Sequence, residues 1–378
     1  MEEGSAFKDI FSPALVNQLG TELKSVYGKF DLPGFEKDIV RHLEPLSLSQ
    51  RAKCISDGMK NHLPKAYSET ALILHKVLGP EADAGDWSDN SAMRYWPFGV
   101  YIVEHGIDHY DESVGLMYEL TKRFTAEWAI RPFIEKYYDK MMPLLHTWSQ
   151  DENVHVRRLV SEGSRPRLPW APKLVNFIQD PTPVIELITK LNNDPELYVR
   201  RSVANNINDI AKDHPDLAVK TLLAWQKNKS KNTDWIIGHA SRTLLKNGHP
   251  DALRLQGFNP NIKLSINKLS LTDKVQFGTS LDFEFTIESQ ENSAEEILVD
   301  YLIHHLKANG KTSPKVFKLT KKKLVPGESI TITKSHSMRP ISTRKYYAGE
   351  HALEIQVNGI TYGQHFFTLN IKQLRLVQ

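Results

Sequence analysis

Residues 151–170 read Asp151-Glu-Asn-Val-His-Val-Arg-Arg-Leu-Val-Ser-Glu-Gly-Ser-Arg-Pro-Arg-Leu-Pro-Trp170. The first half has the apolar spacing of a helix, and the second half is a basic loop broken by prolines. Asp151 is expected to cap the helix, because its carboxylate accepts an unpaired backbone N–H of the first turn. Glu162 falls at the end of this helix, against the negative end of the helix dipole, where a carboxylate is unfavourable.

The same pattern occurs twice, 43 residues apart. The first copy is Asp151-x-x-x-x-Val156-Arg-Arg-x-Val160, and the second is Asp194-x-x-x-x-Val199-Arg-Arg-x-Val203. A period of this length is typical of HEAT and armadillo arrays. Helical spacing also extends over most of residues 1–257, which predicts an N-terminal all-α, HEAT-like solenoid. Stacked repeats line a concave surface with one helix of each pair. The arginines, Glu162 and Asp209 are candidates for that surface.

The periodicity changes at Gln256-Gly-Phe-Asn-Pro-Asn261. Beyond it, apolar and polar residues alternate in about seven short segments separated by Gly, Asn and Ser turns, which is typical of half-buried strands. Strands at this spacing, with no helix between them, favour an immunoglobulin-like sandwich. The fold class predicted is therefore α + β in two domains: a helical-repeat domain at 1–257 and an all-β sandwich at 261–378, which is expected to be an accessory domain.

Composition excludes several classes of protein. The chain has 378 residues and a single cysteine, Cys54, so it has neither an intramolecular disulfide framework nor a multi-cysteine metal site. The acidic opening residues lack the apolar segment of a secretory signal, and no apolar run is long enough to span a membrane. None of the 15 histidines lies in a metal-binding motif, and no phosphate-binding glycine loop occurs. We expect a cytoplasmic protein with no metal and no cofactor.

Charge is unevenly distributed along the chain. The segment from Asn261 onward carries 16 Lys and Arg against 11 Asp and Glu, whereas the remainder carries 32 against 34. A basic patch on an accessory domain indicates a polyanionic partner such as nucleic acid.

Two further carboxylates stand beside arginines or amides. Glu127 precedes Arg131 by four residues, which predicts either a local ion pair on one helix face or a functional group. Asp209 ends the segment Asn205-Asn206-Ile-Asn208-Asp209, which is either an ordinary helix end or part of a site. Because Glu127, Glu162 and Asp209 fall in neighbouring repeat units, they are expected to converge on one face.

Several segments resemble the AlkC branch of the AlkC/AlkD alkylpurine DNA glycosylases. They are Ala6–Phe11, Arg94–Pro97, Phe124–Phe133, Val156–Trp170 and Val199–Asp209. The resemblance implies a HEAT-like solenoid that grips duplex DNA, followed by an immunoglobulin-like domain. It also implies monofunctional hydrolysis of the N-glycosidic bond of cationic bases (3-methyladenine, 3-methylcytosine and 1-methyladenine) without base flipping. We expect a monomer that acts at the nucleoid of a bacterial cytoplasm.

The same resemblance implies roles for individual residues. Glu127, Glu162 and Asp209 would stabilise positive charge on the deoxyribose and activate water. Trp170, with Trp96 or Trp128, would lie against the sugar, although Trp128 is also expected to pack in the core. Phosphates would be held by Arg158, Arg165, Arg167 and Arg201. The alternative is a non-catalytic scaffold that binds nucleic acid or peptide, in which the carboxylates only balance the arginines.

Overall fold

The computed structural model describes residues 7–83, 90–228 and 230–371. Ala6, the first residue of the opening segment Ala6–Phe11, lies outside this range. The chain forms two compact units, one of Met1–His214 with Ala224–Ala240 and one of Pro215–Leu223 with Ser241–Gln378. The predicted succession of helices and then strands is confirmed, since the last helix ends at Leu255 and the first strand begins at Leu264. The domain limits 1–257 and 261–378 stay a prediction.

The helical part consists of short helices. Two 3-10 helices cover Phe7–Ile10 and Asn90–Tyr95. The α-helices are α1 Pro13–Val26, α2 Leu32–Val40, α3 Leu48–His62, α4 Tyr67–Val77, α5 Trp96–His105, α6 Tyr110–Thr121, α7 Ile130–Lys136, α8 Tyr138–Trp148, α9 Val154–Gly163, α10 Val175–Gln179, α11 Thr182–Thr189, α12 Leu197–Ile210, α13 Pro215–Gln226, α14 Lys231–Ala240, α15 Arg242–Lys246 and α16 Pro250–Leu255. In the described residues, no helix is long and apolar enough to cross a membrane.

Helix α9 starts two residues later than a cap at Asp151 would place it. Asn153 is the N-cap, and its side-chain oxygen accepts the backbone N–H groups of His155 and Val156. Asp151 instead accepts the backbone N–H of Asn153 at 2.8 Å. The prediction of an Asp151 cap is therefore wrong, because this carboxylate shapes the turn before the helix and leaves the first helical turn to Asn153.

One arginine of each Arg-Arg pair fixes the turn that leads into its own helix. Arg157 donates Nη1 to the carbonyls of Asp151 and Glu152, both at 2.9 Å. Arg200 donates to the equivalent carbonyls of the next repeat at 2.7 and 2.6 Å. Arg157 also bonds the Asp194 carboxylate, with Nε 2.7 Å from Oδ2. These contacts join successive repeats, and α9 packs on α12, which packs on α14.

The β part is a sandwich of two sheets. Its strands are β1 Leu264–Leu271, β2 Lys274–Gln276, β3 Ser280–Ser289, β4 Glu295–Leu306, β5 Thr312–Leu324, β6 Ser329–Ser337, β7 Gly349–Val357 and β8 Ile360–Asn370. One sheet has the order β1-β3-β6 and the other β2-β8-β7-β4-β5. All pairs are antiparallel except β2 with β8. The seven predicted strands are all present, and β2 is an addition.

Alternation along the strands builds the core of the sandwich. On β3 the buried side chains are those of Leu281, Phe283, Phe285 and Ile287, and they pack with the inward residues of β4 and β7. A period of two buries one face of a strand and leaves the other to solvent. The pattern in the sequence therefore determined which residues form this core.

The β7–β8 turn is locked to the end of the helical segment in its own unit. Asn358 is buried with φ +44°, donates Nδ2 to the carbonyls of Asn259 and Glu296, and accepts the N–H of Leu298 at 2.7 Å. The neighbouring Gly359 lies against Gly248, so that a Cβ on Gly359 would be 2.4 Å from the Gly248 Cα.

Replacing Asn358 tests this junction. In N358A, three hydrogen bonds disappear, and alanine tolerates the left-handed conformation less well than asparagine does, so the free energy of unfolding should fall by about 2–4 kcal/mol. N358G keeps the conformation and removes only the amide, so it should be less destabilised. Urea unfolding of the full chain measures both. N309A, which alters an exposed turn, should stay within about 0.5 kcal/mol of wild type, and equal stability of N358A and N309A would contradict the assignment.

Candidate active site

Three carboxylates and two arginines form a continuous row, called here the charge ladder: Glu127, Arg158, Glu162, Arg165 and Asp209. Arg158 donates Nη1 to Glu127 and places Nη2 3.6 Å from Glu162 Oε1. Arg165 donates Nη1 to Glu162 Oε1 at 2.7 Å and Nε to Asp209 Oδ2 at 2.8 Å. Each arginine thus bridges two carboxylates, and the three predicted carboxylates lie together.

The ladder draws on three consecutive parts of the helical unit. Glu162 lies near the end of α9, and Asp209 lies near the end of α12, which packs beside it. Glu127 lies in the turn before α7, because that helix begins only at Ile130. The predicted ion pair between Glu127 and Arg131 on one helix face is therefore wrong, and the partner of Glu127 is Arg158.

Glu162 stands at the centre of the ladder. Its Oε2 accepts the hydroxyl of Ser202 at 2.6 Å. Burial raises the pKa of the Glu162 carboxyl, but the positive charges of Arg158 and Arg165 and the Ser202 hydrogen bond outweigh burial and hold this pKa below its ordinary value. Glu162 is therefore an anion at neutral pH and is unsuited to donating a proton.

Exposure decreases along the ladder. The side chain of Glu127 is 14% exposed, that of Glu162 is 9% exposed, and that of Asp209 is 2% exposed. Asp209 also accepts Lys212 Nζ at 2.7 Å. A molecule approaching from solvent therefore meets Glu127 first, while Asp209 anchors the buried end.

Three of the four arginines predicted to bind phosphate are held by carboxylates. Arg158 and Arg165 belong to the ladder, and Arg167 forms a two-pronged pair with Asp213 at 2.6 and 2.7 Å. Arg201 is exposed on α12. Phosphate binding by these four arginines therefore stays a prediction, and in this structure only Arg201 among them is exposed.

The structure brings the tryptophans together beside the ladder. Trp96, Trp128 and Trp170 line one open cavity of about 760 Å³. The ring centroids of Trp96 and Trp128 are 4.5 Å apart. Trp128 is thus a wall of the cavity as well as a packing residue. A second cavity of about 270 Å³ shares Trp96 and Trp128 and includes Thr125, whose hydroxyl bonds both Glu127 and Arg158.

Trp170 is unusual in both exposure and backbone. Its side chain is 97% exposed, and its φ is +60°. The left-handed region is unfavourable for a bulky L-residue and costs of order 1–3 kcal/mol unless the surroundings impose it. Strain of this kind clusters at functional sites, which is consistent with the predicted role of Trp170.

Two contributing residues, Thr125 and Ser202, were not predicted from the sequence, and Arg131 was predicted only as a partner of Glu127. Ser202 could have been identified from the sequence. The 43-residue repeat aligns it with Leu159, so a hydroxyl replaces an apolar side chain at that repeat position. Thr125 and the partners of Arg131 could not be identified in this way, because they depend on contacts between distant segments. Among the described residues, no group of three or more His, Cys, Asp or Glu side chains is arranged to hold a metal ion.

Known proteins resemble this chain in both sequence and structure. The family model described as the C-terminal Ig-like domain of the uncharacterised protein YhaZ matches residues 265–371. The YhaZ protein of Bacillus subtilis (strain 168) is 36% identical over 354 residues, which cover 93% of this chain and 96% of that protein. The Pseudomonas fluorescens alkylpurine DNA glycosylase AlkC, solved bound to DNA containing an abasic site analog, is 34% identical with a TM-score of 0.88, covering 97% of this chain and 100% of that one.

Neutralising Glu162 tests the ladder as a structural unit. E162Q leaves Arg158 and Arg165 facing a neutral amide in a buried place and should lower the free energy of unfolding by about 3–5 kcal/mol at pH 7. Because the folded pKa is depressed, the stabilisation by Glu162 is complete above the ordinary glutamate pKa of 4.5 and is lost as pH falls through the folded value. The stability gap between wild type and E162Q, measured by urea unfolding, should therefore be constant above that pH and narrow below it. E152Q, which neutralises an exposed carboxylate, should be as stable as wild type at each pH. A stability gap between wild type and E162Q that stays constant down to about pH 3 would contradict the ionised state of Glu162.

Proposed function

This chain belongs to the AlkC/YhaZ family of DNA alkylation repair proteins, and we propose that it is a DNA glycosylase that hydrolyses the N-glycosidic bond of cationic alkylated bases in duplex DNA. The observation that carries the proposal is the charge ladder, which brings three carboxylates together. Its outer member, Glu127, accepts a hydrogen bond from Thr125, which lines a cavity together with Trp96 and Trp128. The relative of known structure carries the name alkylpurine DNA glycosylase and was solved with DNA, which supports the same reaction class here.

The chemistry suits carboxylates that stay ionised. A base alkylated on a ring nitrogen is already cationic, so it leaves without being protonated. The C1′–N bond breaks with its electron pair on the base, which becomes neutral, and positive charge develops on the deoxyribose. A water oxygen then bonds to C1′ and releases its proton to a carboxylate or to solvent. Anions fixed beside the sugar lower the energy of this cationic transition state.

The exposure and contacts of these residues support a division of roles among them. Glu127, the most exposed carboxylate, would face the sugar and orient the water, with Glu162 behind it. Asp209 would hold Arg165 and so fix Glu162. The electron-rich faces of Trp170 and Trp96 would lie against the cationic sugar. We propose that the base is excised without being flipped out of the duplex, and that 3-methyladenine, 3-methylcytosine and 1-methyladenine are the substrates.

Neutralising the carboxylates tests the reaction. With excess enzyme, wild type should release a methylated base from duplex DNA in a single turnover, and E127Q and E162Q should each slow release by about 100-fold, since each removes an anion from the transition state. The rate constant for release is measured, with thermal unfolding to confirm that each variant is folded. E127Q is the more informative variant, because its side chain is more exposed and its replacement should disturb the fold less.

The exposed carboxylate variant E152Q is the matched control and should retain the wild-type rate. If wild type released none of the three cationic bases, the enzyme proposal would fail and the non-catalytic scaffold would stand in its place. If E127Q and E162Q released base at the wild-type rate, the assigned roles of these two residues would fail while the reaction class survived.

Strand β5 supports a second contact with DNA. It lies at the edge of the five-stranded sheet and exposes lysines on both of its faces. By register, Lys315 and Lys322 lie on one face, and Lys318, Lys321 and Lys323 lie on the other. Lysines on an edge strand discourage pairing with other strands, but they also form a basic strip that could follow a phosphate backbone. We propose that this strip binds DNA without reading sequence.

A triple variant tests the strip. In K315Q/K322Q/K323Q, DNA affinity should fall, and the slope of log affinity against log salt should decrease by about 0.9 for each phosphate that is no longer neutralised. Binding of unmodified duplex is measured over a range of salt concentrations. The triple variant K263Q/K268Q/K274Q removes the same charge from β1, β2 and the segment before β1 and should keep the wild-type slope. A reduced slope only in this second variant would overturn the assignment to β5.

A further inference from the structure

Arg131 is almost completely buried, with 1% of its surface exposed. Its Nη1 donates to the carbonyls of Gly163 and Arg165 at 2.9 and 2.7 Å, and its Nε and Nη2 donate to the carbonyl of Pro172 at 3.1 and 2.6 Å. All four of these hydrogen bonds end on main-chain oxygens. One guanidinium therefore holds both ends of the segment 163–172.

That segment carries two groups of the candidate site. Arg165 connects Glu162 to Asp209, so its backbone position sets the middle of the charge ladder. Trp170 lies between the clamped residues Arg165 and Pro172, and its exposed ring has little packing to hold it. The backbone of the segment must therefore fix the left-handed conformation of Trp170. Fixing both ends of a short, proline-containing segment provides that constraint.

Burying the Arg131 guanidinium away from water is energetically unfavourable, so its presence indicates a specific role. Burial lowers the pKa of Arg131 to about 10, which still leaves the guanidinium charged at neutral pH. Four donated hydrogen bonds use four of its five N–H groups, but an apolar side chain of similar volume would avoid the desolvation entirely. The buried guanidinium donates hydrogen bonds to three main-chain carbonyls, which an apolar side chain could not do.

We propose that Arg131 is a positioning residue, which clamps segment 163–172 so that Arg165 aligns the carboxylates and Trp170 faces the substrate. The proposal rests on the proposed glycosylase function for its catalytic consequence. The clamp itself is a property of the fold and is testable without catalysis.

The direct test measures hydrogen exchange in R131M, which approximates the side-chain volume and removes the charge and all donors. Peptides covering residues 163–174 should exchange at least about 10-fold faster than in wild type, while those of α14 stay unchanged. R131K, with the charge but fewer donors, should be intermediate. R200K is the matched control: it weakens another arginine that donates to main-chain carbonyls, and it should leave 163–174 unchanged. If R131M does not fold, R131K carries the same test.

The catalytic test is a double-mutant cycle with Trp170. R131M should slow single-turnover release by about 10-fold or more, with affinity for DNA containing an abasic-site analog changed by less than about 3-fold. W170A should slow wild type similarly but slow R131M by less than about 3-fold, since the ring is already misplaced. A merely destabilised protein would instead release base at the wild-type rate well below its melting temperature, or show additive effects.

The outcomes separate the two proposals. Unchanged exchange of residues 163–174 in folded R131M or R131K overturns the clamp whatever the enzyme does. Faster exchange with a wild-type rate of release, or additive effects with W170A, overturns its catalytic consequence. Faster exchange in R131M together with no base release by wild type would retain the clamp and reject the glycosylase function.

Discussion

The charge ladder is the constraint on which the candidate site depends. Opposite charges alternate from Glu127 through Arg158, Glu162 and Arg165 to Asp209, and each inner member has two partners of opposite sign. Removing one member leaves its neighbours buried without compensation, which is far more costly than losing a surface ion pair. The ladder thus fixes the turn before α7, the end of α9 and the end of α12 relative to one another.

The ladder also explains how a site for a cation tolerates so many arginines. Its two arginines are paired with carboxylates, and they hold the pKa of Glu162 below its ordinary value. A carboxylate that must reorient at the moment of reaction stabilises developing charge less well than one already in place. In the proposed reaction, fixed anions and aromatic faces would favour a positively charged sugar over a neutral one. That difference is what accelerates a dissociative cleavage.

Much of this organisation follows from the sequence. The 43-residue repeat, the switch to period-two alternation and the convergence of Glu127, Glu162 and Asp209 all depend on local patterns or on repeat register, which sequence expresses directly. The choice of ion-pair and hydrogen-bond partners does not follow from the sequence in this way. Arg158 finds Glu127 across 31 positions, and Arg131 reaches carbonyls more than 30 residues away. Two polar residues near the start of α9, Asp151 and Asn153, could each have been the N-cap. The backbone geometry of the turn makes Asn153 the N-cap and leaves Asp151 bonded to the N–H of Asn153.

The contact between Gly248 and Gly359 has an evolutionary consequence. Each glycine has a positive φ, and a Cβ on either would collide with the backbone of the other. No single substitution at either position is tolerated without moving the β7–β8 turn or the segment between α15 and α16. A side chain at one position cannot be accommodated by a smaller residue at the other, because that residue is already glycine. A substitution at either glycine therefore requires an accompanying shift of the backbone that carries the other. The junction should therefore drift more slowly than the exposed turns around it.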